Sequence, residues 1–336
     1  MESTSTPVTP SSPPGFLTNS ANSKGYALSF EGKGGEYFGI VILNFILTAI
    51  TLGLYYPWAK AKRLQYLYSS TEFDKSRLSF TGTGKEMFKG FIKAIGLFVL
   101  LFGLLFLFTL GLKMPIVGVL FFYLGIFCIF PLAIHGTYRY RMSRTIWRGI
   151  RFGYRGKLGE LFALFFKNLL FIIITIGFYG AWATMNLRNY IINNLKMGNL
   201  NFRYKGDGTD YFLLNLKGYF LTIFTLGIYG FWWYRDRLNY YIDNISITNA
   251  EGAELKFRST VSAGGIFKLL VVNVLLLIVT LGFGYAWVVT RSLSFLFSSI
   301  HIEGNVDLGT VIQTEDGKGD ATGQDLSDMM DIGIVI

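Results

Sequence analysis

One pattern recurs five times along this chain of 336 residues and constrains its fold more than any other feature. Each copy opens on a phenylalanine in a strand-like stretch: Phe30, Phe80, Phe152, Phe202 and Phe257. A Gly-bearing stretch follows, in FEGKGGEYF, FTGTGKEMF, FGYRGKLGELF, FRYKGDGTDYF and FRSTVSAGGIF. It ends on a second phenylalanine, Phe38, Phe88, Phe162, Phe212 or Phe267, which opens an apolar helix. That helix stops at a Thr-Leu/Ile-Gly step: Thr51-Gly53, Thr109-Gly111, Thr175-Gly177, Thr225-Gly227 and Thr280-Gly282. The spacing from second Phe to Thr is 13 in four copies and 21 in the second. A repeat of this kind marks units that bury a shared core by stacking on one another.

A second helix follows the glycine. Pro57 and Pro115 stand four residues past it in copies one and two. Proline suits a first helical turn, where no N–H is needed. Five residues past the glycine stands Trp58, Trp182, Trp232 or Trp287, with Ile116 in copy two. Glycine just after an apolar run is a normal helix stop. Outside copy two the second helix is amphipathic. In copy four Phe231, Tyr234, Leu238, Tyr241 and Ile245 recur at helical steps among Arg235, Asp236, Arg237 and Asp243. Copy one places Lys60, Lys62 and Arg63 there. Such a helix lies in a membrane interface. Alternating runs around Gly/Asn turns predict closing β-hairpins over 143–156, 194–206, 244–260 and 299–312. The hairpins are expected to join in one sheet, because a lone hairpin is marginal in water.

Composition sets the solvent. Apolar residues make up 51% of the chain and charged ones 15%, against about 25% charged in soluble domains. Six segments carry no charge: 37–59, 94–112, 114–138, 168–187, 218–234 and 269–290. About 20 apolar residues cross a bilayer core. The expected fold class is therefore an integral membrane protein, mainly α-helical with β-hairpins, in five tandem helix-(Thr-x-Gly)-helix-β-hairpin repeats. Residues 1–25 and 314–336 are expected to be loose tails, the first Ser/Thr/Pro-rich and the second acidic. Between them the membrane repeat domain, 26–313, divides into units at about 26–79, 80–151, 152–201, 202–256 and 257–313.

Two membrane arrangements compete. From Phe38 to Thr51 is 14 residues, or about 21 Å of helix, short of a bilayer core of roughly 30 Å. Re-entrant pairs would then dip and return, with every hairpin on one face and only copy two, 22 residues from Phe88 to Thr109, crossing fully. Six single crossings would instead alternate the units between faces. The dipping arrangement is preferred because it keeps the hairpins together.

Charge and reactive residues narrow the function. Residues 1–300 hold 30 basic and 13 acidic side chains, and 301–336 hold one and eight. A basic body flanking apolar spans fits anionic lipid headgroups as partner and disfavours nucleic acid; a protein partner or a homo-oligomer is also compatible. The single cysteine, Cys128, excludes a disulfide scaffold and a multi-cysteine zinc site, and His135 and His301 are the only histidines. No cofactor, metal site or catalytic set is expected. The Thr, Gly and Trp positions of the repeat are assigned structural roles, the tryptophans as interfacial anchors. Asn44, Asn168 and Asn273 each follow the second Phe by six residues. A buried amide in an apolar helix needs a partner, so these serve as interhelical glue or line a polar path. Lys167 and Lys217 beside them can snorkel. Gly82-Thr83-Gly84-Lys85 departs from a phosphate-binding loop at Ser79 and Glu86 and is read as a turn. Glu36, Glu86, Glu160 and Asp210 suit the first turn of a helix.

The stretch GEYFGIVILNFILTAITLGLYYPWAKAKRLQYLY (35–68) resembles the YjgN family, in Glu36-Tyr37-Phe38, Asn44, Thr51-Leu52-Gly53, Tyr55 and Pro57-Trp58-Ala59. The resemblance implies a multi-pass bacterial inner-membrane protein and names no reaction. Weaker copies extend over 26–312, and the last carries Gly284-Tyr285 where the first has Leu54-Tyr55. The expected function is a scaffold presenting a cytoplasmic β-layer. A channel or transporter is the alternative, and a lipid-modifying enzyme the third.

Overall fold

The computed structural model describes residues 24–314, so the expected tails lie outside it apart from Lys24, Gly25 and Thr314. Lys24–Tyr26 (β1) and Leu28–Phe30 (β2) are two halves of one extended stretch, interrupted at Ala27. Five helix pairs follow: Gly34–Ile50 (α1) with Tyr56–Ser69 (α2), Gly84–Phe106 (α3) with Pro115–Arg144 (α4), and Leu158–Ile174 (α5) with Gly180–Asn193 (α6). The last two are Gly208–Phe224 (α7) with Gly230–Asp243 (α8), and Ala263–Val279 (α9) with Tyr285–Ser298 (α10). Between pairs run Thr71–Phe73 (β3) and Ser76–Phe80 (β4), Thr145–Trp147 (β5) and Ile150–Tyr154 (β6), Leu195–Met197 (β7) and Leu200–Tyr204 (β8), and Ile245–Thr248 (β9) and Glu254–Ser259 (β10). Ile300–Gly304 (β11) is the last strand.

Both layers close on themselves. Every helix packs on its two neighbours in chain order, and α10 packs back on α1. The strands follow chain order in one antiparallel sheet, and β1 pairs with β11 while β2 pairs with β3. The broken first strand thus joins the two ends of the sheet into a barrel-like ring, which leaves no long unpaired edge. Tyr26, Phe73, Trp147, Leu200, Ile247, Leu255 and Ile302 converge from strands all round it into one apolar core. The helix pairs rise together from one rim.

Five equivalent hydrogen bonds fix each unit where strand meets helix. The amides of Glu31, Thr81, Arg155, Lys205 and Thr260 donate to the carbonyls of Ser70, Arg144, Asn194, Asn244 and Ser299. They also correct the alignment of the copies. Phe30 and Phe80 correspond to Tyr154, Tyr204 and Ser259, whereas Phe152, Phe202 and Phe257 correspond to Leu28 and Leu78. Side chains two apart on a strand share a face, and both positions are mostly apolar, so the sequence pattern slipped by one pair.

The stretch 299–312 does not form the expected hairpin. β11 lies between β10 and β1, and the chain beyond it enters the barrel instead of returning as a strand. Val306, Leu308 and Val311 are buried in the apolar core. The Tyr26 hydroxyl donates to the Val306 carbonyl at 2.5 Å, and Thr314 Oγ1 donates to the Gly198 carbonyl at 2.6 Å. Three apolar side chains gain more from the barrel interior than from an exposed edge.

The second unit is longer by insertion at its tip. α4 has 30 residues where the other second helices have 14, a surplus of about 24 Å. Its last turns superpose on theirs, with Arg144 in the place of Ser70, so Pro131, not Pro115, stands at the level of Pro57. The place of Trp58 is taken by half-buried Leu132, and Ile116 is out near the tip. Gly84–Gly111 and Pro115–Arg144 are each long and apolar enough to cross a membrane.

Candidate functional site

At four of the five tips the Thr-x-Gly step is one compact turn. Thr51 Oγ1 donates to the Leu47 carbonyl at 2.7 Å and accepts from the Tyr55 amide at 3.0 Å. Thr175, Thr225 and Thr280 repeat this with the amides of Tyr179, Tyr229 and Gly284. The glycine amide reaches back five residues, as in Gly53 to Thr48 and Gly227 to Thr222, both at 2.8 Å. This closure needs two successive left-handed residues. Leu52, Ile176, Leu226 and Leu281 have φ near 50°, and Gly53, Gly177, Gly227 and Gly282 have φ of 90–94°, where a side chain is strained. The second tip differs. A π turn over Leu107–Gly111 takes in Thr109 and Gly111, and the left-handed residue moves to Lys113. The middle residues of the four compact tips are 87–94% exposed, although each is Leu or Ile.

The tryptophans join units. Added Cβ atoms on Gly84, Gly208 and Gly34 would lie 2.2–2.3 Å from the indoles of Trp58, Trp182 and Trp287. Each indole therefore covers the first residue of the next unit's first helix, and Trp287 on Gly34 closes the ring. It also stacks near Phe38, as Trp182 does near Phe212 and Trp58 near Phe88. The next helix after Trp232 begins at Ala263 instead of Gly. Because Trp58 sits over Gly84, the Gly82–Lys85 turn offers no open cradle for a phosphate.

Asn44, Asn168 and Asn273 are buried, and each bonds within its own helix pair. The partners are the Ala59 carbonyl at 3.4 Å, Asn186 at 3.2 Å and Ser292 at 3.1 Å. Unit four has Gly218 at this level, with the Trp233 indole packed into the space. Lys167 and Lys217 are exposed. The four acids lie in first helical turns. Glu86 completes a capping box with Thr83 and pairs with Arg144 at 2.8 Å. His135 is buried against the Tyr154 ring, whereas His301 is exposed beside Thr260. Among the described residues no three His, Cys, Asp or Glu side chains gather as metal ligands.

Several repeated contacts escaped the sequence reading. The hydroxyls of Tyr66, Tyr190 and Tyr240 each bridge the backbone N–H and carbonyl of Lys33, Lys157 and Asp207 at 2.7–3.0 Å. All three pairs are 33 residues apart, a spacing that would have revealed them. One residue earlier in each second helix, Gln65, Asn189, Asn239 and, at the equivalent place in unit five, Ser294 donate to carbonyls of the following unit: Gly82, Gly206, Val261 and Phe30.

Units one and four place an arginine of the second helix near a tyrosine of the first, a combination absent from the other three: Tyr37 and Arg63, and Tyr211 and Arg237. Tyr37 is fully buried. Around Arg237 the structure is open. A groove of about 760 Å³ runs from the tip of unit three along α6 and α7 to this guanidinium. Ile176, Phe178, Phe212 and Tyr219 line its apolar length, and Thr184, Tyr211, Asn215 and Arg237 its polar part. The Tyr211 and Tyr241 hydroxyls are hydrogen-bonded to each other, and Arg188 stacks 3.8 Å over the Tyr241 ring. Arg237 Nε is buried without a hydrogen-bond partner. The lining contains no carboxylate.

A family described as bacterial protein of unknown function (DUF898) matches residues 25–203 and 241–329. The inner membrane protein YjgN of Salmonella typhimurium is 30% identical over 166 residues, which is 48% of this chain and 39% of that protein. YjgN of Escherichia coli strain K12 is 32% identical over 158 residues, 47% of this chain and 38% of that protein. The aligned stretch thus spans about two fifths of the length of these relatives. No solved structure matches. The family match, in two stretches that together cover most of the chain and leave out 204–240, places this chain in the YjgN-like bacterial family DUF898.

Proposed function

We propose that this protein is a scaffold embedded in the bacterial inner membrane, presenting its barrel on the cytoplasmic side. One observation carries the reading. All five tips project from the same rim, and at four of them a Leu or Ile on a left-handed turn is almost wholly uncovered. Ile50, Ile174, Phe224 and Val279, just before those tips, are exposed as well. Apolar surface on that scale is unfavourable in water and favourable in a bilayer core. Helices of 17 residues reach about 25 Å and dip without crossing, while α3 and α4 extend beyond them and cross. The two YjgN proteins are named inner membrane proteins, which supports the same location. The scaffold reading is preferred to a channel because the ring axis runs into a barrel filled by Trp147, Leu200, Leu255 and the 305–314 segment. The asparagines bond within single helix pairs, consistent with packing.

Thiol labelling tests the embedding. In a Cys128→Ser background, single cysteines at Asp74, Asn199, Asn249 and Asn305 stand at the hairpin turns and the start of the plug. All four stay protected from an impermeant reagent in intact cells and label after lysis. Labelling of Asn199 and Asn305 in intact cells would overturn the arrangement. Selective solute flux through purified protein in liposomes would overturn the scaffold role.

A further inference from the structure

The groove between units three and four is amphipathic along its length, and its polar part is basic. We infer that it binds one anionic phospholipid, with the headgroup phosphate at Arg237 and an acyl chain laid along Phe212, Tyr219, Phe178 and Ile176. This deepens the membrane-embedded reading and rests on it. Three observations support the assignment. Arg237 brings a guanidinium to the lining of the groove, and a guanidinium favours phosphate. Tyr211, Asn215 and Thr184 also line the groove with polar groups, and no carboxylate opposes an anion. The apolar part then leads from Arg237 to the exposed tip at Ile176.

The direction of this gradient matches a lipid of the leaflet that the tips enter. Arg237 lies 11 residues beyond Leu226 along the chain and nearer the barrel. The phosphate would therefore sit toward the cytoplasm and the chain toward the bilayer centre. A free phosphate uses only the basic part, and a zwitterionic lipid adds a cation beside Arg237. Unit one supplies an internal comparison: its Tyr37 and Arg63 stand in the corresponding places but outside the lining of this groove.

The test uses full-length protein in neutral detergent, so membrane topology does not enter the result. Native mass spectrometry is run with phosphatidylglycerol, with phosphatidylcholine, and with phosphatidylglycerol in excess inorganic phosphate. Phosphatidylglycerol is retained by wild type and bound at least about tenfold more weakly by Arg237→Gln, the scale of one charge-assisted hydrogen bond. Arg63→Gln binds as wild type, and Phe178→Ser weakens binding without touching the charge. Phosphate in excess leaves the lipid bound. Equal binding by wild type and Arg237→Gln, equal retention of phosphatidylcholine, or displacement by phosphate each overturn the assignment. Should Arg237→Gln fail to fold, Phe178→Ser and the phosphate competition still decide it. The thiol-labelling result stands apart from every one of these outcomes, so failure of the lipid site and failure of the embedding are distinguished.

Discussion

Trp287, in the last helix, lies across Gly34, the first residue of the first helix, so closely that a Cβ there would fall 2.2 Å from its indole. This contact fastens the last unit to the first across 253 residues of chain. Gly34→Ala is therefore expected to destabilise the ring by about 1–3 kcal/mol, the scale of an overpacked core. Gly35→Ala is the control: the added methyl meets nothing within 4 Å, and alanine favours a helix over glycine. Thermal unfolding in detergent separates the two, with a lower midpoint expected for the first variant alone.

The three tyrosine clasps make a graded series. Tyr66→Phe, Tyr190→Phe and Tyr240→Phe each remove a hydroxyl that bridges two backbone groups. Each is expected to cost about 1 kcal/mol. The sites belong to different units, so the triple variant should lose close to the sum. Denaturant midpoints of the single and triple variants check this additivity.

The plug gives a larger effect. Leu308 is buried in the barrel among residues from several strands. Leu308→Ala is expected to cost about 2–5 kcal/mol, as for other core truncations. Limited proteolysis should then cut within 305–314 at a protease level that leaves wild type whole.

Tip depth can be measured directly. Fluorophores on single cysteines at Leu52, Ile176, Leu226 and Leu281, with Cys128→Ser, are expected to be quenched by lipids spin-labelled on the acyl chain. Quenching should exceed that of the same probe at Asn249. Equal quenching at tips and hairpin turn would count against membrane insertion.

Acid should weaken the barrel seam at Glu254. Burial alone would raise the pKa of this carboxyl. The Ser246 side chain and the Lys205 and Lys256 ammonium groups instead hold it below its ordinary value. Lys205 Nζ is 3.0 Å from Glu254 Oε1. A folded-state pKa below the unfolded one contributes stability that is present above the unfolded pKa and lost as pH falls through the folded pKa. Stability should therefore decline on acidification through and below the carboxylate range. Glu254→Gln should flatten that part of the profile, measured by denaturant midpoints across pH.

The repeat, the helix stops and the family were legible because they depend on local chemistry. A Thr-x-Gly turn closes within ten residues, and only glycine readily takes the backbone angles at its third position. The places of Asn44, Asn168 and Asn273 could be counted from a phenylalanine, yet not their partners, which differ in all three units. Trp58 looked like an interfacial anchor. Its contact with Gly84 is visible only when the two helices lie side by side.

By itself the sequence determined that helix would alternate with strand five times and that apolar turns would cap the helix pairs. Helical spacing, glycine backbone freedom and charge-free length act over a few residues and need no distant partner. Tertiary structure alone decided that the chain closes on itself. Closure depends on β1 reaching β11, Trp287 reaching Gly34, and Val306, Leu308 and Val311 entering the barrel. Those contacts join residues up to 280 positions apart, and burial of shared apolar surface selects them, which no local pattern encodes. The Arg237 groove has the same origin: three helices from two units form it, and none of their sequences announces it.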